Sequence, residues 1–274
     1  MPLKEQYLSF LKTPVLWNNN GVFGIRSFHL DHNELDMSVP EPSEITFSEN
    51  EVLGKRIEHF FNYYIKTSER YLLLLKNLQI FSDQITIGEL DFIVQDLVKN
   101  KVIHIELVFK FYIYDPTFND EMDRWIGPNR KDTFRQKIDK LRQKQLPLLF
   151  KKETIASLKE LKLDPQDIDQ SVCFMAHLFV PKSMIETFST SFNLNCIIGY
   201  WIKDKEFSET TYGAHLFYIP QKKEWMVDPK YHSEWYSFTT TQKCVTEALQ
   251  QKRSPLLWMK SGDQEFQRFF VVWW

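Results

Sequence analysis

The sequence predicts an α/β (α+β) fold in which helices flank a central mixed sheet. Three observations carry this expectation: a helical stripe of apolar residues from Leu53, alternating patterns at residues 85–94 and 102–113, and a β-rich segment at residues 171–180. The chain has 274 residues, of which 43% are hydrophobic and 15% aromatic, and its net charge is −2. This balance excludes a disordered or wholly polybasic protein and is typical of a globule with a substantial core.

The N-terminal part of the chain predicts two helices separated by an acidic loop. Residues 3–17 have the pattern of a short amphipathic helix and a turn, and residues 29–51 that of an acidic loop laid over the surface. Ser48 followed by Glu51 predicts a capping box at the start of a long helix. We expect this helix to continue through residues 71–75.

Three strands joined by short connections come next and are expected to pair as antiparallel neighbours. A second helix and a further strand follow, which gives the order αβββαβ. These elements lie at residues 78–81, 85–94, 102–113, 130–145 and 171–180. The rest of the chain predicts a helix, three strands, a helix and a final strand, at residues 183–192, 196–202, 212–219, 224–227, 242–251 and 266–274.

The chain is expected to divide into three parts. Residues 1–50 form an N-terminal helix and acidic loop packed on the core, residues 51–181 the core itself, and residues 182–274 an aromatic-rich α+β extension of the same globule. The three cysteines are too few and too far apart for a disulfide framework. Lys, Glu or Gln interrupts every apolar run of residues 1–12, and the longest apolar stretches, such as residues 103–113, are too short to span a bilayer. We therefore expect no signal peptide, no membrane contact and a cytoplasmic location.

The strand at residues 102–113 carries the candidate chemistry. One of its faces is apolar, whereas the other presents Glu106 and Lys110, and the preceding strand presents Asp91. If the two strands pair, Asp91 and Glu106 approach each other on one face. Two neighbouring carboxylates repel, and a hard divalent cation such as Mg²⁺ or Mn²⁺ removes the conflict. The alternative is that these residues are surface charges of a half-exposed sheet.

The order of these elements and the motifs within them resemble the core of the PD-(D/E)XK (restriction endonuclease-like) nuclease superfamily. Within that superfamily the chain resembles a bacterial family known as domain of unknown function 1853. The blocks that carry the narrower resemblance are LGKRIEHF, GELDFIV, HIELVFKFYI, WIGPNRKD and KLRQKQLPL. The resemblance implies a restriction-endonuclease-like core and a metal-dependent hydrolase.

The resemblance also implies roles for individual residues. Asp91 and Glu106 would hold Mg²⁺ or Mn²⁺, with the backbone carbonyl of Leu107 as a further ligand. Glu58 would be the accessory acid on the helix, and Lys110 the lysine of the motif. The sequence departs from the E-x-K spacing of the motif, because Lys110 lies four residues after Glu106 instead of two. This departure leaves the role of Lys110 open.

Residues 130–152 form a strongly basic segment. They contain nine basic and two acidic side chains, a local net charge of +7. Such a run is either a solvated helix face or a surface that contacts phosphates without reading a base sequence. As nucleic-acid contacts we predict Arg130, Lys131, Lys137, Lys140 and Lys144. The acidic loop at residues 29–51 is hypothesised to mask this surface when no substrate is bound.

These observations predict a metal-dependent phosphodiesterase (nuclease) that acts on DNA or RNA, with a metal-activated water as the nucleophile. The alternative is a catalytically inactive nuclease-like fold that serves as a nucleic-acid or protein binding module. A third interpretation rests on the aromatic residues of the C-terminal third alone. Aromatic side chains on strands either pack a sheet or stack on a saccharide or another ring-bearing ligand.

Overall fold

A computed structural model describes residues 2–18, 22–31, 41–262 and 265–274 of the chain. The helices in these residues are α1 (Leu3–Lys12), α2 (Leu53–Thr67), α3 (Glu121–Arg124), α4 (Phe134–Lys140), α5 (Lys152–Glu160), α6 (Glu209–Tyr212) and α7 (Phe238–Gln250). The strands are β1 (Tyr71–Ser82), β2 (Ile85–Asp96), β3 (Lys101–Tyr114), β4 (Trp125–Ile126), β5 (Ile168–Pro181), β6 (Ile197–Lys203), β7 (Leu216–Tyr218), β8 (Tyr236–Ser237), β9 (Leu256–Lys260) and β10 (Phe266–Val272).

The strands in the described part of the chain form one mixed sheet. Its order is β1-β2-β3-β5-β6-β10-β9-β7-β8, and β4 pairs with the end of β3. Strands β1, β2 and β3 form an antiparallel meander, whereas β3, β5, β6 and β10 are parallel neighbours. Parallel strands need a long crossover connection, and the one from β3 to β5 contains α4 and α5. A mixed sheet flanked by helices confirms the fold class that the sequence predicts.

Helix α2 covers one face of the sheet with aromatic side chains. Ile57, Phe60, Phe61 and Tyr64 recur at helical spacing and are buried. The ring of Phe61 lies 4.7 Å from the ring of Phe92 on β2, centroid to centroid. The helix therefore forms where its apolar stripe meets the apolar face of the meander.

Helix α4 packs against the opposite face of the sheet. Its residues Phe134 and Ile138, and Leu141 one turn later, are fully buried. They share a core cluster with Tyr112 of β3 and Phe174 of β5. The two faces of β3 thus contact two different cores, and the polar side chains of the α4-facing side lie at the margin of the second core.

Two expectations for the start of the core are wrong. Helix α2 ends at Thr67, and residues 71–75 belong to β1 instead of extending the helix. Pairing with β2 along most of β1 overrides the local apolar run, because strand preference depends on the neighbours available. Ser48 and Glu51 do not form a capping box, since the N-cap is Val52 and carries no side-chain hydrogen bond.

The helix predicted at residues 183–192 is also wrong. One turn of 3₁₀ helix, Lys182–Met184, is all that forms at its start. The segment is rich in Ser and Thr, which compete with helical hydrogen bonds through their hydroxyl groups. Its aromatic residues pack elsewhere instead: Phe188 and Phe192 contact the ring of Trp125.

The last third of the chain departs from the prediction in three further places. Residues 224–227 are not a strand, because Met226 and Val227 turn into the core and are buried. The strand expected at residues 212–219 is reduced to the three residues of β7. Strand β9 was not predicted. No helix in the described ranges is both long and apolar enough to cross a bilayer.

Candidate active site

The candidate site lies where β2 separates from β3. The ladder between these strands ends at the pair Phe92–Ile105, and the next residues along it are Asp91 and Glu106. Beyond this pair the hydrogen bond to β3 is made by a side chain of β2 instead of its backbone. Oδ2 of Asp91 accepts a hydrogen bond of 2.9 Å from the backbone N–H of Leu107. The register therefore makes Asp91 and Glu106 neighbours at the mouth of the gap between the strands.

Glu106 is held inside a hydrogen-bond network. Its side chain and that of His104 are both 0% exposed, and His104 Nε2 lies 3.1 Å from Glu106 Oε1. The amide of Gln170 donates to His104 Nδ1 at 3.0 Å, which leaves Nε2 as the protonated nitrogen that donates to Glu106. The amide of Gln145 donates to Oε2 of Glu106. Both carboxylate oxygens thus have a partner, as a buried acid requires.

The surroundings of Asp91 disfavour the charged form of its carboxyl group. Burial raises its pKa to about 7, and the negative charge of Glu106 adds to this rise. The hydrogen bond from Leu107 and the positive charge of Lys137 act in the opposite direction. At neutral pH the Asp91 carboxyl is therefore close to half protonated. The positive charges around Asp91 and Glu106 do not fully compensate the negative charge of the two carboxylates.

Lys137 of α4 is the lysine that acts on this pair. Its Nζ donates to Oε1 of Gln145 at 2.8 Å, and the same Gln145 donates to Glu106. Burial lowers the pKa of Lys137 to about 8, against the opposing effects of Glu106 and Asp91. A lysine with such a pKa exchanges its proton near neutral pH, as a general acid or base needs to do.

Helix α4 and the turn that follows it set these positions. Thr133 and Gln136 form a reciprocal capping box that starts the helix. Ile138 is buried, so its neighbour Lys137 lies at the edge of the buried face. The helix then widens into one π turn, Leu141–Gln145, whose last side chain reaches the buried acid. Single π turns of this kind occur frequently at functional sites.

Lys110 lies on β3 as predicted, but its Nζ has another partner. It forms a 2.6 Å ion pair with Oδ2 of Asp132, in the loop that leads to α4. The positive charge that acts on Asp91 comes from Lys137, which lowers the pKa of that carboxyl. The structure thus brings together Asp91, Glu106 and Lys137 and directs the ammonium group of Lys110 toward Asp132.

Glu58 approaches the site from α2. Its Oε2 accepts hydrogen bonds from Lys55 at 2.8 Å and from Nδ2 of Asn77 at 3.0 Å. The same Asn77 nitrogen donates to Glu89 at 2.7 Å, so it joins two acids. The charge of Glu58 contributes to the raised pKa of Asp91. Oδ1 of Asn77 is buried without a hydrogen-bond partner in the described part of the chain.

Sequence reasoning missed Asn77, Gln145 and the position of Lys137. Asn77 has a φ of 51°, a left-handed conformation that asparagine tolerates better than most residues. A lone Asn inside the apolar pattern of β1 is the signal that could have indicated it. Gln145 and Lys137 carry no such signal, because polar residues are common on any helix that borders solvent.

The predicted nucleic-acid contacts have different surroundings. Arg130 donates to Asp115 at 2.9 Å and lies 4.3 Å from the ring centroid of Trp274, so it holds the C-terminal segment against the core. A second predicted contact, Lys137, is the site lysine described above. The other three are exposed to solvent: Lys131, Lys140 and Lys144.

A cavity of 680 Å³ runs beside the part of β3 that β2 leaves unpaired. Both signs of charge line it. The basic side chains are Lys110, Lys131, Lys222 and Lys223, and the acidic ones are Glu49, Glu51 and Asp132. Two acids of the loop at residues 29–51 thus face this cavity, whereas residues 32–40 of that loop lie outside the described ranges.

The site offers two carboxylates to a metal. Within residues 2–18, 22–31, 41–262 and 265–274, no group of three or more His, Cys, Asp or Glu side chains is arranged to hold an ion. A cation beside Asp91 and Glu106 would therefore depend on oxygens of other kinds, such as the Leu107 carbonyl that the resemblance implies. Such a mixed oxygen set is suited to Mg²⁺ or Mn²⁺.

Comparison with known proteins identifies a family and no individual relative. No curated protein and no solved structure matches the chain. The family model described as domain of unknown function 1853 matches residues 27–272. This range contains the acid pair, the basic segment and the whole sheet. The chain therefore belongs to the family of domain of unknown function 1853.

Proposed function

We propose that this protein is a metal-dependent phosphodiesterase (nuclease) that acts on DNA or RNA. The observation that carries the proposal is the Asp91–Glu106 pair beside Lys137, at the point where β2 leaves β3. Burial and like charge raise the pKa of Asp91 to about 7 despite the positive charge of Lys137, as expected for a carboxyl pair whose negative charge is not fully compensated. A divalent cation would supply the missing positive charge.

The donor set fits a hard cation. Asp91 and Glu106 would hold Mg²⁺ or Mn²⁺ together with the carbonyl of Leu107. The buried, unpartnered Oδ1 of Asn77 is a further oxygen in the neighbouring acid cluster that lacks a donor. When bound, such a cation supplies Lewis-acid activation of a water nucleophile and of a phosphate oxygen.

The remaining roles belong to side chains of the chain itself. Lys137, with a pKa of about 8, would hold a proton at Nζ and stabilise negative charge on the phosphate undergoing attack. Gln145 keeps that ammonium group beside Glu106. The exposed lysines Lys131, Lys140 and Lys144 would bind the flanking phosphates and position the polyanion.

The topology supports the same proposal. Helix α2, the antiparallel strands β1–β3, helix α4 and the parallel strand β5 follow one another in an order that resembles the αβββαβ core of PD-(D/E)XK nucleases. Asp91 and Glu106 lie on its second and third strands. In this interpretation Lys137, from the helix after the acids, takes the part that the motif gives to the displaced Lys110.

Calorimetric titration with Mg²⁺ and Mn²⁺ tests the proposal. We expect the wild-type protein to bind either ion and to cleave single- or double-stranded DNA or RNA, and the double variant Asp91→Asn/Glu106→Gln to lose both properties. Asp167→Asn, which removes an exposed carboxylate, serves as the matched control. A wild-type protein that binds neither ion, or a double variant that cleaves as well as wild type, would contradict it.

A pair of lysine variants tests the assignment of Lys137. Lys137→Met is expected to lower kcat by about 10²-fold or more, the usual contribution of a positioned acid or base. Lys110→Met serves as the comparison and is expected to retain most of the activity, because its ammonium group pairs with Asp132. A larger loss in Lys110→Met than in Lys137→Met would reverse the assignment.

A second candidate function is a nucleic-acid binding module without turnover. The observation that favours it is the satisfied state of Glu106, whose two oxygens already accept from His104 and Gln145. A carboxylate held in this way does not need a cation. This candidate predicts salt-dependent binding of nucleic acid that Lys140→Met weakens, equal in wild type and in the double acid variant, with no metal binding in either.

A further inference from the structure

A second cavity, of 630 Å³, lies in the C-terminal half of the sheet. Strands β6, β10 and β9 run side by side at this place. Its wall is mixed: three aromatic residues, Tyr200, Trp258 and Phe266, lie beside the polar residues Asp228, Gln267 and Arg268. A volume of this size is within the range of about 300–1,000 Å³ that small-ligand sites occupy.

Arg268 is the basic residue of this wall, which also contains the acidic Asp228. It pairs with Trp258 across β10 and β9, and its guanidinium carbon lies 4.9 Å from the ring centroid of Trp258. Its Nε donates to the carbonyl of Ile198 at 3.2 Å. The two terminal nitrogens have no hydrogen-bond partner and no ion pair in the described part of the chain.

The electrostatic state of Arg268 follows from this environment. Burial lowers its pKa to about 9, and Asp228 at the cavity rim acts in the opposite direction without forming an ion pair. The guanidinium therefore keeps its charge at neutral pH. A partly desolvated charge without a counterion is costly, so a ligand that supplies the counterion would gain affinity.

Trp258, which lines the cavity, also carries a donor that lacks an acceptor. Nε1 of Trp258 is buried and has no hydrogen-bond partner among the described residues. The neighbouring polar pair is already satisfied, because the hydroxyl of Tyr200 donates to Gln267 at 3.3 Å. The wall thus combines the unpartnered terminal nitrogens of an arginine with three aromatic rings.

We propose that this cavity binds a ring-bearing oxyanion, either an organic phosphate or an aromatic carboxylate. The planar guanidinium of Arg268 matches the two oxygens of a phosphate or carboxylate in a bidentate arrangement. The aromatic wall receives the ring of the ligand by stacking or edge contact. The site shares no residue with the acid pair, so it does not depend on the proposed nuclease activity.

Calorimetry with four probes tests this assignment. Adenosine 5′-monophosphate and indole-3-acetate carry a ring and an oxyanion, whereas adenosine and inorganic phosphate each carry one of the two. We expect at least one of the first two probes to bind with a Kd below about 1 mM and at least tenfold tighter than both of the last two. The probe that binds identifies the phosphate or the carboxylate class. Failure of both ring-bearing anions to bind would overturn the proposal.

Variants connect the binding to the cavity. Arg268→Lys keeps the charge but loses the bidentate geometry, and we expect it to weaken binding at least tenfold. The matched control Arg253→Lys, at an exposed arginine, is expected to bind as wild type does. Equal affinity in Arg268→Lys and wild type would contradict the assignment. The double variant Asp91→Asn/Glu106→Gln is expected to bind normally, which separates this proposal from the nuclease proposal.

A spectroscopic readout covers the case in which Arg268→Lys is poorly folded. The indole N–H resonance of Trp258 is identified in the wild-type spectrum by its loss in Trp258→Phe. We expect this resonance to shift when the probe binds, because the ring of the probe lies against the indole of Trp258 and changes its magnetic environment. A probe that binds without moving the Trp258 resonance binds elsewhere, and that result would refute the proposal.

Discussion

Replacement of Asp91 by asparagine tests the electrostatic account of the acid pair. Asparagine has the shape of a protonated aspartic acid and keeps an oxygen that can accept from the Leu107 N–H. The pKa of Asp91 rises from its ordinary value of 3.8 to about 7 in the folded state. The folded state therefore holds the proton more tightly than the unfolded state does. As a result, the free energy of unfolding of the wild type falls as the pH rises through this interval.

The size of the effect follows from the interval. A rise of about 3 pKa units corresponds to about 4 kcal/mol, which the wild type has lost in full by pH 8. At pH 5 the loss is smaller, about 2 kcal/mol, because only the part of the interval between pH 3.8 and pH 5 has been crossed. Asp91→Asn carries no charge and avoids this loss. We expect it to be more stable than the wild type by up to these amounts.

Urea unfolding followed by circular dichroism, at pH 5 and pH 8 without divalent ions, measures the difference. The control Asp167→Asn removes an exposed carboxylate and is expected to change the free energy of unfolding by less than about 0.5 kcal/mol at either pH. If Asp91→Asn is less stable than the wild type at pH 8, the account of the pair is wrong. An advantage of equal size at both pH values would refute it as well.

Three further substitutions test the surroundings of the site and the core. Lys137→Met removes a charge that lowers the pKa of Asp91, so a carboxyl-carbon NMR titration should place that pKa above 7. A lower value would contradict the electrostatic effect of Lys137 on Asp91. Gln145→Leu takes a donor from the buried Glu106 and should cost about 1–3 kcal/mol in urea unfolding, whereas unchanged stability would mean that the bond is unimportant. Phe270→Ala empties a fully buried position and should cost about 3–5 kcal/mol by the same assay; less than 1 kcal/mol would exclude a packed core there.

The long strands were predictable because burial imposes a pattern on them. In the sequence of β3 every second residue from Ile103 to Ile113 is apolar, and the burial of both faces of β5 gives a nearly continuous apolar run. The prediction failed at segments whose sequence is compatible with two kinds of secondary structure. A contact with residues distant in the sequence decides between them. Residues 71–75 are apolar enough for a helix, and pairing with β2 makes them a strand. Residues 183–192 lack helical order because their phenylalanines pack against another segment.

The candidate site was also predictable only in part. Alternation on two neighbouring strands is enough to indicate that Asp91 and Glu106 are close, because a ladder fixes cross-strand neighbours. The partners of these acids come from outside the meander. Gln145 reaches Glu106, and Lys137 reaches Gln145, only because α4 packs on the sheet and a π turn follows it. Neither the packing of α4 nor the π turn produces a periodic pattern in the sequence. The spacing of residues on β3 therefore indicated Lys110 instead of Lys137.

The position of β10 has a consequence for synthesis of the chain. This strand lies between β6 and β9, although both precede it in the sequence. As the ribosome extends the chain, the sheet remains in two pieces, each with an open edge, until Phe266–Val272 emerges. Open strand edges pair readily with other chains. The nascent protein is therefore most prone to aggregate during the interval between completion of β6 and delivery of β10, and a slow ribosome over that stretch would lengthen the exposure.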